Sequence, residues 1–239
     1  MSMLKQLPYK WLAGITPCPK GWLIIPARLA GVTVVVEDPY VLSSLMEVVD
    51  SRPKFDAAAI NIPMGFNDVP TRNGPVEAES KQLIGWPRQV GIRPIPSRQA
   101  LRAPSKAKAR ELEPWLTNDD FRRFRWLRQS ADTFQPFHQR NFFSANPDLS
   151  YTQLNEDRPL KTSPFHQEGV VERMTLIRNK LPGVEDVIMR TPPVGAGQFH
   201  VVQAAGLLWT ARRASGRAIN RLPAEPGWDE SGLRVELVR

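Results

Sequence analysis

Reactive side chains are unevenly spread over these 239 residues. The three histidines, His138, His166 and His200, are scattered and form no HxxxH-type pair of metal ligands. The single cysteine, Cys18, excludes a disulfide framework and a multi-cysteine zinc site. It stands in Pro17-Cys18-Pro19 without a His and Asn/Asp framework, and reads as a structural thiol. No phosphate-cradling P-loop, dinucleotide fingerprint or HExxH occurs. What is concentrated is positive charge. Between Arg88 and Arg128 eleven basic residues face four acids, so nearly all of the net charge of +8 lies there. Such a stripe attracts phosphate backbones by releasing their counterions. Arg88, Arg93, Arg98, Arg122, Arg123 and Arg125 are its candidate anion-binding residues, joined from outside the stripe by Arg72. Trp115, Phe121, Phe124 and Trp126 interleave the stripe and could stack on bases. The competing reading turns them into the core, because Phe121, Phe124 and Trp126 cannot all face outward on one helix.

The elements that position these groups follow from composition and periodicity. A hydrophobic fraction of 41% suffices for a core, and the length fits one domain over 1–239. No apolar run reaches the ~20 residues of a membrane-spanning helix, and the first residues lack the apolar centre of a signal peptide. A soluble cytoplasmic protein with no membrane partner is the expectation. Lys10–Thr16, Trp22–Arg28 and Val32–Glu37 read as strands joined by short turns, an antiparallel meander. Pro39 opens an expected helix to about Asp50, with apolar Val41, Leu42, Leu45, Val48 and Val49 at helical spacing. Asp56–Ile62 is continuously apolar and fits a buried strand parallel to its predecessor.

A long excursion follows at about 63–140, Pro- and Gly-rich from Pro63 to Pro104, with helices expected at Glu77–Ile84, Ala103–Leu112 and Asn118–Arg128. A strand at Asn141–Ala145 and helices at Leu149–Leu154, Gln167–Lys180 and Gln198–Ser215 come next. Leu233–Val238 is a last strand. The expected class is α/β, a ribonuclease H-like mixed sheet of three antiparallel strands plus parallel strands, flanked by helices.

A series of local motifs resembles the DUF429 family, predicted nucleases of the ribonuclease H-like superfamily. The segment Ala13–Trp22 is similar to the family's GxD…GW opening, and Asn61-Ile62-Pro63-Met64-Gly65 to its DxPxG. Pro96-Ser97-Arg98 is like PxR, and Ser144-Ala145-Asn146-Pro147-Asp148 like ExHPE. Gly169 and Arg173 form a Gly-xxx-Arg pair. Phe199–Ala204 with Trp209-Thr210-Ala211-Arg212-Arg213 resembles DDxxDA…WTAxR, and Asp229-Glu230-Ser231-Gly232 a closing D-x-x-G.

The resemblance implies carboxylates holding two divalent ions that polarise a phosphoryl group and activate water. Here those positions are Thr16, Asn61, Ser144 and, on the late helix, Phe199, His200 and Gln203; only Asp148 is still acidic. Neutral oxygens cannot offset two close divalent charges, so the metal site is expected to be vestigial and empty, with no cofactor. The expected function is that of a degenerate member acting as a nucleic-acid-binding or scaffolding protein. One alternative is a rebuilt, metal-independent enzyme on a small anionic substrate, with His200 and Asp148 catalytic and Arg98 as anion ligand. Another is a protein-interaction subunit pairing with an intact relative. Arg72, Arg98 and Lys161 could remain as an anion cradle.

Overall fold

The computed structural model describes residues 9–239. Strands β1 (Lys10–Cys18), β2 (Gly21–Ala30) and β3 (Thr33–Val36) form the expected antiparallel meander. The next strand in sequence after a short helix, β5 (Ala57–Ile60), pairs in parallel with β1. It pairs in parallel also with β6 (Phe142–Ser144), giving the order β3-β2-β1-β5-β6. The fold is α/β with a mixed sheet flanked by helices.

Period-two alternation divides the sheet into two faces with different covers. Ala13, Ile15, Trp22, Ile24, Ala58 and Ile60 point to one face. That face is covered by the excursion, whose helices are α2 (Pro75–Ile84), α3 (Arg98–Arg102), α4 (Lys106–Leu112) and α5 (Asn118–Thr133). The long Pro-rich segment is therefore one wall of the core, and this is why Ile95, Leu101, Phe121, Phe124 and Leu127 are buried. Leu12, Leu23, Ile25, Ala57 and Ala59 point to the other face. There they meet α6 (Pro147–Leu154), α7 (Gln167–Ile177), α8 (Val184–Met189) and α9 (Gln198–Ser215). Helix α9 lies against β1 so closely that a Cβ at Gly14 would come within 1.9 Å of the Ala204 carbonyl oxygen. No side chain fits there.

Three expectations change. The helix expected from Pro39 to Asp50 is split: Tyr40–Leu42 is strand β4, paired with Trp22–Ile24 of β2, and only Leu45–Val49 (α1) is helical. The Ser44 side chain caps α1 by accepting the Glu47 N–H, so the chain must be extended before it. The helix expected over Ala103–Leu112 breaks at Ala103 and Pro104, because Pro104 disfavours helical backbone before it and Ser105 starts a new cap. Strand β7 (Arg221–Trp228), carrying Pro223 and Pro226, was not expected from its composition. It forms a bulged two-stranded ribbon with β8 (Arg234–Val238), away from central ladders that proline would interrupt.

Candidate functional site

The carboxyl ends of the parallel strands β1 and β5 lie side by side, a usual location for ligands in α/β sheets. Alternation turns Thr16 and Asn61 toward α9. There the Thr16 hydroxyl donates to Gln203 Oε1 at 3.1 Å and accepts from Asn61 Nδ2 at 3.3 Å. Thr16 is fully buried. The result is a closed chain of neutral partners: amide, hydroxyl, amide. Ser144 does not join it. It pairs across from Ile60 and shares that residue's face, so its hydroxyl points to the excursion side and accepts the Met64 N–H at 2.9 Å.

Asp148, in the first turn of α6, is held between two guanidiniums, Arg88 at 2.8 Å and Arg173 at 3.0 Å. Arg173 is 1% exposed, donates also to the carbonyls of Thr162 and Gly169, and lies over the Tyr151 ring. Gly169 lets the chain at Ser163 pass; a Cβ would come within 1.9 Å of the Ser163 carbonyl oxygen. His200 lies one helical turn before Gln203. Its Nδ1 accepts the Gly197 N–H at 3.0 Å, which requires the neutral ring, and burial lowers its pKa. No hydrogen bond joins His200 to Asp148 among the described residues. The expected catalytic pair is thus not assembled: one member holds a helix end and the other is locked in ion pairs.

A cavity of about 50 Å³ separates the ends of β5 and β6 from the excursion, lined by Asn61, Glu77, Arg93, Arg123 and Asn146 among others. Glu77, which sequence reasoning passed over, is buried and accepts the Ile95 N–H at 2.7 Å. Burial raises its pKa, a common mark of a carboxyl group in a cleft. Burial lowers the pKa of Arg123, with Asp120 opposing and Arg93 adding to the effect. Arg93 itself lies 3.7 Å from Asp119. Positive and negative groups are close to balance here.

These residues match the family's sequence model along most of the chain, over residues 14–227. The chain belongs to the DUF429 family. The model's description is a protein of unknown function. No curated protein and no solved structure matches the chain.

The DUF429-like motifs meet in pairs far apart in sequence. Asp148 joins Arg173, as described. Arg98, at the Pro-x-Arg element, donates to Asp229 of the closing D-x-x-G at 2.7 Å, in a pair almost wholly buried. The same Asp229 carboxylate accepts the N–H groups of Phe66, Ser231 and Leu233. Arg98 was expected to bind an incoming anion; instead its charge is committed to Asp229 and closed off from solvent.

Arg88, likewise expected to bind anions, is committed to Asp148. Arg72 is exposed, as is Lys161. On α5, Phe121, Phe124 and Leu127 turn inward while Arg122, Arg125 and Arg128 are exposed. Arg125 stacks over Trp126, whose ring packs edge-on against buried Trp22. Phe121 and Phe124 are therefore core residues, and Trp126 packs partly buried against the core, so these three are not a platform for bases; Trp115 is partly buried outside α5.

The donor set does not fit a pair of divalent cations. Mg²⁺ needs anionic oxygens in near-octahedral array. Thr16, Asn61 and Gln203 offer neutral atoms already bonded to one another, and Asp148 is neutralised twice. Among the described residues no group of three or more His, Cys, Asp and Glu side chains could hold a metal ion. No described helix is long and apolar enough to cross a membrane.

Proposed function

We propose that this DUF429 protein is a ribonuclease H-like member that binds phosphate backbones without hydrolysing them. The observation that carries the reading is the Thr16–Gln203–Asn61 chain. Where the family resemblance calls for carboxylates, this protein has hydrogen-bonded neutral groups, and a substitution of that kind keeps packing while removing the charge that two-metal chemistry needs. Binding is supported by the outer face of α5, where Arg122, Arg125 and Arg128 stand exposed in a row. With the aromatics turned inward, contacts from this face go to phosphates and carry little sequence information.

The test is fluorescence anisotropy with labelled single- and double-stranded DNA and RNA at two salt concentrations, beside a cleavage assay in Mg²⁺ and Mn²⁺. Binding should weaken steeply with salt. Arg122→Glu with Arg125→Glu should weaken it at least tenfold. Cleavage that disappears in Asp148→Ala would overturn the non-hydrolytic half, and salt-independent binding the backbone half.

A further inference from the structure

The opposite end of the same strands carries a second, larger concavity. Lys10 opens β1, Asp56 precedes β5, and Arg140 precedes β6. Together with the last turn of α9 and the start of β7 they surround a cleft of about 470 Å³. That volume falls within the ~300–1,000 Å³ of small-molecule sites. No residue of α5 lines it.

Its charge is lopsided. Lys10, Arg140, Arg217 and Arg221 line it against the single acid Asp56. Arg221 is held by the buried carboxylate of Glu236. Lys10, Arg140 and Arg217 make no ion pair and no side-chain hydrogen bond among the described residues, and all three are exposed. Asp56 is partly engaged, accepting the Trp11 N–H at 2.8 Å. Arg217 stands at φ +56°, a left-handed position just past the end of α9.

The carbonyls at that helix end are already bonded. Gly216 N–H donates to the Arg212 and Arg213 carbonyls, and Ala218 N–H to Arg213. The α9 dipole still presents its negative end here, and the exposed cations have to outweigh it. The Ser215 hydroxyl lies on the wall, shielded and without a hydrogen-bond partner. Phe143 and Ile219 also line the cleft, Phe143 as a buried core residue and Ile219 partly exposed.

We infer that this cleft binds a phosphate group carried on a larger molecule. Three cations without partners can supply charge-assisted and bidentate hydrogen bonds to phosphate oxygens. The rest of the cleft, about 470 Å³ in all, leaves room for the remainder of the ligand. The chemistry is shared by a free phosphate monoester and by the terminal phosphate of an oligonucleotide. The site stands apart from the α5 reading and does not need it.

The experiment titrates the full chain with inorganic phosphate, adenosine 5′-monophosphate, adenosine, and an oligonucleotide with and without a 5′-phosphate, by calorimetry at low salt. Adenosine monophosphate should bind, inorganic phosphate should bind more weakly, and adenosine should not bind. Arg140→Gln with Arg217→Gln should raise the dissociation constant of adenosine monophosphate at least tenfold, while Arg122→Glu with Arg125→Glu, which weakens nucleic-acid binding, leaves that of adenosine monophosphate within twofold. An oligonucleotide that needs its 5′-phosphate and responds to the Arg140/Arg217 pair marks a nucleic-acid end as the source; indifference to the 5′-phosphate marks the free monoester. Backbone amide shifts at Arg217 and Arg140 report the location independently of affinity. Adenosine binding as well as its monophosphate, no binding of any phosphate compound at millimolar concentration, or unchanged binding in the Arg140/Arg217 variant would overturn the inference.

Discussion

The two ends of one sheet have been treated oppositely. At the carboxyl ends of β1 and β5, Thr16, Asn61 and Gln203 satisfy one another, and Asp148 is enclosed by Arg88 and Arg173. At the amino ends, Lys10, Arg140 and Arg217 have no acidic partner among the described residues. A buried polar group without a partner is costly, so the first end has closed on itself. Solvated cations carry no such cost, and the second end keeps charge that an outside anion can use. A fold of this type directs attention to the carboxyl ends of its strands. In this chain three cations without an ion pair gather at the other end, whereas on α5 the exposed Arg122 pairs with Asp119 and Arg128 donates to the Leu101 carbonyl.

That contrast can be broken most forcefully through the committed charges. Asp229→Ala leaves Arg98 buried and unpaired and frees three backbone N–H groups, so unfolding stability should fall by about 3–5 kcal/mol, read by urea denaturation. A loss below about 1 kcal/mol would show that Arg98 finds solvent or another partner. Thr16→Val keeps the shape but deprives Gln203 of a donor and Asn61 of an acceptor. It should cost about 1–2 kcal/mol by the same measurement. If the change is neutral, the closed chain is not what holds this end.

The pH dependence sharpens the comparison. Burial raises the Glu77 pKa above the ordinary 4.5, so in the window above 4.5 the folded state keeps a proton that the unfolded state has released. Glu77 therefore favours folding below that window, and its contribution is lost as pH rises through the folded pKa. Glu77→Gln should flatten the fall in thermal stability on raising the pH from about 4.5. Part of the slope should persist, since burial raises Glu113 in the same direction. An unaltered profile would assign the slope to Glu113 alone. The smallest stability effect belongs to the uncommitted end. Arg140→Gln and Arg217→Gln should each shift unfolding by no more than about 0.5 kcal/mol. A larger shift in either would mean that its charge is engaged within the fold.

Sequence alone was sufficient for the meander, for the parallel strand at 57–60 and for the helix at 198–215, because continuous apolar runs and alternation leave few ways to bury those residues. It was insufficient at Tyr40–Leu42, where helical spacing of apolar residues also suits an edge strand, and the Ser44 cap decides. The candidate positions Thr16, Asn61 and Gln203 were legible as neutral residues where the family resemblance puts acids. Their mutual bonding was not, since it joins residues up to 187 apart in the chain.

Local patterning thus determined the α/β class, the surplus of positive charge, and the neutral character of the positions where the family resemblance puts acids. Only the tertiary structure decided which cations are free. Arg98 and Arg140 are chemically alike in the sequence. Folding places one beside Asp229, 131 residues away and shut off from water, and leaves the other in solvent at the mouth of a cleft. The physical reason is that partnership between charges depends on distance and burial, and chain order fixes neither.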